Sequence, residues 1–546
     1  MSETVGAIAE RLVGDGKAAP THRLAVPYAW PILIWSGAIG LLLWQLYRQR
    51  WFFHDDAFIS LRYVVHLVKY GELTWNLGER VEGYTNFLQI LATALLVKLG
   101  FGPVDAVHSI NAAALGGLIL STICAARRLA PNDPLAVAGG AFLLLSSAPV
   151  ALWVMGGLEA VMLAAFIATA IWVSLPLFRA DDRSAVRSVA AGLLIGLGYL
   201  TRPDALIVGG AMMSGLLCFA PGTLRHRIRS ASLLGVTAGA IVVPHVIWRL
   251  SYYGDLLPNT FYAKVALPLL QRLAIGAHYV AAATFWLPAI PLGIVALVWA
   301  TRTQRADRAM YLMATIILGY LLYILWAGGD HMPGGRLLVP LAAPASLLVI
   351  GILTAFNSEW RNRLAAVSVL AGLTGAITFQ PMRMDAAAFV GSLVGKYIAA
   401  TWPPGALVAL HTAGSTPFFA PDLGFIDMLG LNDRAIAHRT PIPMRTRWQT
   451  IPGHAKGDGA YILRRAPSYI VAGPAEGALV NAPWFLSDAE LAESLDFQRC
   501  YVVETADIPY SEEVANQGPE KPRPLVFTYY RRICEPTGNR TPASGP

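Results

Sequence analysis

The sequence predicts a mainly α, polytopic membrane protein with a mixed α/β extracytoplasmic domain at its C-terminal end. Three observations carry this. Of 546 residues, 55% are hydrophobic and only 14% charged, and mean hydropathy is +0.50; a soluble domain carries about 25% charged residues. The deficit lies in apolar runs near 26–46, 86–100, 107–126, 135–152, 158–178, 188–201, 204–220, 231–250, 276–300, 309–327, 337–356 and 364–380. Several approach the ~20 residues that span a hydrocarbon core. After Gln380, proline, glycine and charge spread throughout, and short β-type runs follow at Ala460–Leu463, Tyr469–Val471 and Cys500–Glu504.

Each part follows from local composition. Residues 1–25 are short and polar, as a cytoplasmic tail would be. The first apolar run is too long for a signal-peptide core and lacks a clear cleavage site, so it stays as a helix. Arg127/Arg128, Arg179/Arg183/Arg187, Arg225/Arg227/Arg229, Arg302/Arg305/Arg308 and Arg361/Arg363 form basic loops, which the positive-inside rule assigns to the cytoplasm. Only one parity satisfies all five. It has about eleven transmembrane helices, an internal N-terminus, an external C-terminal region, and a run 86–100 that does not cross. The predicted division is a tail (1–25), a transmembrane domain (26–380) with an outer loop (47–106), an extracytoplasmic domain (381–535) and a disordered tail (536–546). The formal charge of +8 sits in short loops. It orients the chain in a bilayer and leaves no nucleic-acid footprint.

The four cysteines divide in two. Cys124 and Cys218 lie inside apolar runs and read as packing residues. Cys500 and Cys534 lie in the polar C-terminal region, where an oxidising compartment would allow a disulfide; two separate thiols are the alternative.

The stretch Trp51 to Asn86 organises the rest. Phe58, Leu61, Val65 and Val68 recur at helical spacing. Asp55 and Asp56 then occupy the first turn, where the helix dipole favours carboxylates. Asn76-Leu77-Gly78-Glu79-Arg80 is a turn-type cluster. The stretch reads as an amphipathic element at a membrane face that carries a catalytic loop. The plain alternative is an interfacial anchor with an acid cap.

The predicted outer loops hold the informative polar residues: Asp55, Asp56, Arg62, Glu82 and Tyr84, then Glu159, Arg202, Asn259 and Lys264, then Asp330, His331 and Arg336. Ionisable groups at membrane depth are costly and face a cavity or a partner. Together they predict a polar outward cavity roofed by the C-terminal domain. The sequence lacks zinc-spaced Cys/His clusters, a Walker A motif, a paired-Gly nucleotide fingerprint and a G-x-S-x-G elbow. What remains is carboxylate general-base chemistry, with Arg and Lys to hold an anionic leaving group. That suits sugar transfer from a lipid-linked phosphate. Asp55, Asp56 and Glu159 could also supply oxygen ligands to a divalent cation, though no spacing demands one.

At these residues a resemblance emerges. Asp55-Asp56-Ala57-Phe58-Ile59-Ser60-Leu61-Arg62-Tyr63 and Trp75–Asn86 look like the start of the GT-C membrane glycosyltransferases. Within them the chain most resembles the terminal β-1,2-arabinofuranosyltransferase family of the mycobacterial cell wall. Leu257–Lys264, Gly328-Gly329-Asp330 with Arg336, Asp427–Asp433 and Gly453–Gly459 also resemble that family, over about residues 27–470. The resemblance implies a GT-C fold in a bacterial inner membrane, an outward active site, a polyprenyl-phosphate sugar donor and a glycan acceptor. For the arabinofuranosyl branch the donor is decaprenyl-phosphoryl-arabinofuranose. It also implies an inverting transfer with Asp55 as base and Asp56 positioning the acceptor or a metal. Glu159 falls where a second functional acid often occurs; Lys264, Arg202 and Arg336 are candidates for the donor phosphate by their charge rather than by a motif match. Two alternatives stay open beside it: transfer of another polyprenyl-linked sugar for surface or flagellar glycosylation, and a lipid-linked sugar transporter. The sequence has no convincing internal repeat of the kind transporters carry. A non-catalytic assembly partner is a third reading.

Overall fold

A computed structural model describes residues 26–179, 184–264, 267–440, 443–518 and 524–534. The expected terminal tails and Arg183 lie outside the described residues. Among those described, five helical segments are long and apolar enough to cross a membrane: Ala29–Arg48, Pro103–Leu129, Leu224–Tyr253, Arg308–Ala327 and Pro333–Leu353. Two bent pairs, Pro134–Leu145 with Ala148–Met155 and Leu269–Thr284 with Ala289–Arg302, raise that to seven if each counts as one span. The eleven spans expected from loop charge therefore need shorter helices as well. Ala160–Ser174, Ala185–Thr201 and Ala205–Phe219 have 15, 17 and 15 residues, and at about 1.5 Å per residue none reaches the ~30 Å of a hydrocarbon core. The helix Phe87–Lys98 has only 12 residues and is too short to cross.

The C-terminal region forms a five-stranded sheet. Its strands are β1 (Leu407–Leu410), β2 (Gly424–Asp427), β3 (Tyr469–Val471), β4 (Tyr501–Ile508) and β5 (Leu525–Arg532), in spatial order β2-β1-β3-β5-β4. β1 pairs in parallel with β2 and β3; β5 runs antiparallel to β3 and β4. Ile426, Ala409, Ile470 and Tyr530 lie in one apolar cluster across the sheet. Cys500 and Cys534 are disulfide-bonded, which ties the start of β4 to the residues just after β5. Ala460–Leu463, expected as strand, is helical within Gly459–Arg465. Asp458 caps it by accepting from the Tyr461 amide, and this cap outweighs the β-prone Tyr-Ile-Leu run.

The helix Asp55–Tyr70 sits between the helical bundle and the sheet domain. The sequence predicted one apolar face toward a membrane. In the structure residues on every side of its first three turns are buried, Asp55, Ser60, Arg62 and His66 among them. Phe58 and Leu61 pack in the membrane-helix core, while Ile59, Tyr63 and Val64 pack with the sheet domain. This enclosure rules out a simple interfacial anchor, because the polar face is covered by protein.

Candidate active site

His54 begins the site. It has extended backbone and caps the helix, its ring nitrogen accepting from the Asp56 amide at 3.2 Å. The two acids that follow diverge. Asp55 turns to the C-terminal domain. Its carboxylate accepts from the Ser415 amide (2.8 Å), the Ser415 hydroxyl (2.6 Å) and the Gly414 amide (3.1 Å). Gly414 has to be glycine here, since a Cβ would stand 2.0 Å from the Asp55 carbonyl oxygen. Burial pushes the Asp55 carboxyl up to about 6, against the bonds from Ser415. Asp56 turns to open space. Its side chain is 22% exposed, and Lys264 Nζ lies 4.0 Å from Oδ2. Burial acts to raise the Asp56 carboxyl, but Lys264, His54, His331 and Arg336 outweigh it and hold it below its ordinary value.

Asp56 and Lys264 stand where two cavities meet. The outer cavity, about 740 Å³, is lined by His54, Asp55, Asp56, Lys264, His331 and Asp385, and by His411, Trp448, His454 and Phe485 from the C-terminal domain. The inner cavity, about 760 Å³, has a polar wall of Asp56, Glu159, Arg202, Asp204, Lys264, Asp330 and Arg336. Its other wall includes Leu206, Ile207, Leu257, Leu322 and Trp326. Those five side chains, four on helices and Leu257 on a loop, are also exposed, so this cavity is flanked by apolar surface.

The cations of the inner cavity are already partnered. Arg202 binds Asp204 in a fork and reaches Glu159 at 2.9 Å, and the Tyr320 hydroxyl donates to Asp204. Arg336 donates to Asp330 through Nε (2.9 Å) and a terminal nitrogen (2.7 Å). The pair holds the Asp330 carboxyl well below the usual carboxylate range, although burial opposes this. Lys264, 31% exposed and 4.0 Å from its acid, is the cation best placed to meet an incoming anion.

Several residues expected at the site lie elsewhere. Arg62 donates to the carbonyls of Trp75, Pro417 and Leu423, joining the helix to the C-terminal domain. Glu82 forms a buried ion pair with Arg249 (2.5 Å). Asn259 Nδ2 donates to the carbonyls of Gly430, Leu431 and Asp433. None of the three lines either cavity. Tyr84 borders the inner cavity, but its hydroxyl meets that of Tyr253 at 3.0 Å. His331 lines the outer cavity, with Asp330 at 3.5 Å.

The segment Asp427–Asp433 is part of the same clamp. Asp427 accepts from the amides of Leu429, Gly430 and Asn432, and Tyr63 donates to Asn432 Oδ1. The Asp55–Asp56–Glu159 set does not fit a metal. Ser415 and Gly414 occupy the oxygens of Asp55, Arg202 holds Glu159, and no three His, Cys, Asp or Glu converge among the described residues. Sequence reasoning missed His411, Asp385 and Trp448, which come from segments far from the acid pair and carry no local signature; His454 lay within the family-like Gly453–Gly459 segment but was not singled out. His54 had a signal: a cap-competent side chain directly before two acids.

Fold and site thus define a helical membrane protein whose twin cavities share a carboxylate and a lysine. Over 356 residues the chain is 28% identical to the terminal beta-(1->2)-arabinofuranosyltransferase of Mycobacterium tuberculosis, covering 57% of this chain and 55% of that protein. Over 412 residues it is 27% identical to the protein of the same name from Corynebacterium glutamicum, covering 67% and 57%. The chain therefore spans a little over half the length of the curated relatives it matches. A family model described as a domain of unknown function (DUF8728) matches residues 380–516. Among solved structures, ArnT from Cupriavidus metallidurans bound to undecaprenyl phosphate is 15% identical, with a TM-score of 0.49 over 73% of this chain and 86% of that one.

Proposed function

We propose that the chain is a GT-C-type membrane glycosyltransferase that moves a sugar from a polyprenyl-phosphate donor to a cell-envelope glycan. The observation that carries this reading is the junction of the two cavities at Asp56 and Lys264. The inner cavity suits the donor, since its apolar wall can take a prenyl chain and its far wall a phosphate. The outer cavity suits the acceptor. Arabinofuranose is the first sugar to try, because the two curated relatives carry that activity in their names. The cavities face outward from the bacterial inner membrane, in line with loop charge.

Asp56, rather than Asp55, serves as the base. Its carboxylate is ionised, faces the cavity and has no competing clamp, whereas Asp55 is engaged by three donors. Asp56 takes the proton from an acceptor hydroxyl while that oxygen bonds to the anomeric carbon. The bond from that carbon to the phosphate oxygen breaks, and the electron pair leaves on polyprenyl phosphate, beside Lys264 and the Arg336–Asp330 pair.

The test is transfer by the full chain in nanodiscs from polyprenyl-phosphoryl-arabinofuranose to an oligoarabinoside, followed by a panel of other polyprenyl-phosphate sugars. Product with any donor, lost in Asp56→Asn, supports the reading. Absence of product with the whole panel overturns it. A single displacement inverts the anomeric centre, so retention seen by NMR in the new linkage would overturn that step.

A further inference from the structure

The flank of the outer cavity built by residues 411–485 has no part in the chemistry above. Its wall is a run of rings. His331 meets His454 edge-on at 5.1 Å between centroids, and His454 stacks on Phe485 at 5.7 Å. Phe485 reaches His411 at 4.3 Å and Trp448 at 6.5 Å. Trp448 in turn stacks on Trp484, with centroids 4.9 Å apart and planes within 9°. All of these rings line the cavity. They form a track that begins beside Asp56, where His331 adjoins His54 at 6.1 Å, and runs along the C-terminal domain.

His411 is the most deeply buried imidazole described on this track. Its side chain is 2% exposed, and neither ring nitrogen has a hydrogen-bond partner. Asp488 Oδ1 stands 3.7 Å from Nε2, and the Gly473 backbone is its other polar neighbour. A buried imidazole whose only polar neighbours are the Gly473 backbone and a carboxylate at 3.7 Å, with no well-formed hydrogen bond at either nitrogen, is costly, and one that lines a cavity can be satisfied by a ligand hydroxyl. Charge narrows the ligand further. Lys264, at the junction, is the one lysine or arginine lining the cavity among the described residues. The ring track therefore offers no cation to a phosphate or carboxylate. Flat aromatic faces and a few aimed polar groups are what a neutral, hydroxyl-rich ligand needs.

We propose that this flank is a glycan subsite: a neutral oligosaccharide lies along Trp448 and Trp484, with a hydroxyl bonded to His411, and so holds the acceptor beyond the sugar that is modified. The role as acceptor rests on the glycosyl-transfer reading; the binding itself does not. Calorimetry on the full chain in nanodiscs, with Asp56→Asn to prevent turnover, tests it. The probes are neutral arabinofuranosyl, mannosyl and glucosyl hexasaccharides. At least one binds, and Trp448→Ala and His411→Ala each weaken it by about tenfold. Trp448→Phe keeps most of the affinity, which separates lost stacking from misfolding. In transfer assays KM for a hexasaccharide acceptor rises more than KM for a disaccharide. If no hexasaccharide binds, or if both alanine variants bind like the parent, the subsite is wrong, while transfer to the disaccharide leaves the enzyme reading standing. If the variants lose binding yet no donor is ever used, the subsite stands and the enzyme reading fails.

Discussion

Replacing Asp56 and Asp55 in turn by asparagine separates chemistry from scaffold. Asp56→Asn removes the ionised oxygen from the cavity junction but breaks no hydrogen bond between its side chain and the described residues; the loss is an ion pair with Lys264 at 4.0 Å. A partly exposed pair of that kind contributes roughly 0–1 kcal/mol, so Tm should move little. Turnover should fall by about 10²–10⁴, the usual contribution of a positioned base, or about 3–5 kcal/mol of barrier. Asp55→Asn does the reverse. The amide can still accept from Ser415, but its NH2 then faces the Gly414 amide, a donor against a donor in a buried site. An unmade buried hydrogen bond costs about 1–3 kcal/mol, so Tm drops while the variant that remains folded keeps measurable turnover. The assay is single-turnover transfer in nanodiscs beside a thermal-shift scan of the same preparations. If Asp55→Asn abolishes transfer at unchanged Tm and Asp56→Asn keeps it, the assignment of the base is refuted.

Other outcomes follow from the same contacts. Lys264→Ala should raise the donor KM by about tenfold and move the acid limb of the kcat/KM profile to higher pH, because Lys264 is the strongest charge holding the Asp56 carboxyl down; an unmoved limb would count against the pair. Arg202→Met leaves Glu159 and Asp204 buried without their cation, which should cost about 3–5 kcal/mol and show as a large fall in Tm. Asp55 has its folded pKa raised from 3.8 to about 6. Its contribution to stability is full below about pH 4 and is lost as pH rises through about 6, by up to about 3 kcal/mol. Buried His54, His331 and His454, held below their ordinary value, act oppositely as pH falls, so the readout is the native Tm-versus-pH curve minus that of Asp55→Asn. A difference that does not change between pH 4 and 7 would remove the case for a buried, clamped Asp55.

By itself the sequence determined the long apolar helices, the acid pair at the start of a helix, the Asn76–Arg80 turn, and strands at Tyr469–Val471 and from Tyr501 onward, and it marked Cys500 and Cys534 as able to pair, a choice between disulfide and separate thiols that only the structure decided. These follow from local rules: hydropathy, the dipole-favoured position of acids, turn chemistry, and two cysteines in one polar region. Sequence also pointed to several ions that line the two cavities, Asp56, Glu159, Arg202, Lys264, Asp330 and Arg336 among them, because a charge beside an apolar run is informative wherever it falls. It could not say which way each side chain turns. Asp55 and Asp56 are neighbours of the same type on adjacent positions of one helix, yet about 100° of helical rotation clamps one onto Ser415 at the edge of the outer cavity and points the other at the junction with the inner one. Arg62, Glu82 and Asn259 look like ligand-binding residues in one dimension and are clamps in three, because their partners lie 355, 167 and 171 residues away in the chain. The ring track exists only where the C-terminal domain closes over the helix. Its physical cause is packing between distant segments, which no local pattern of residues encodes.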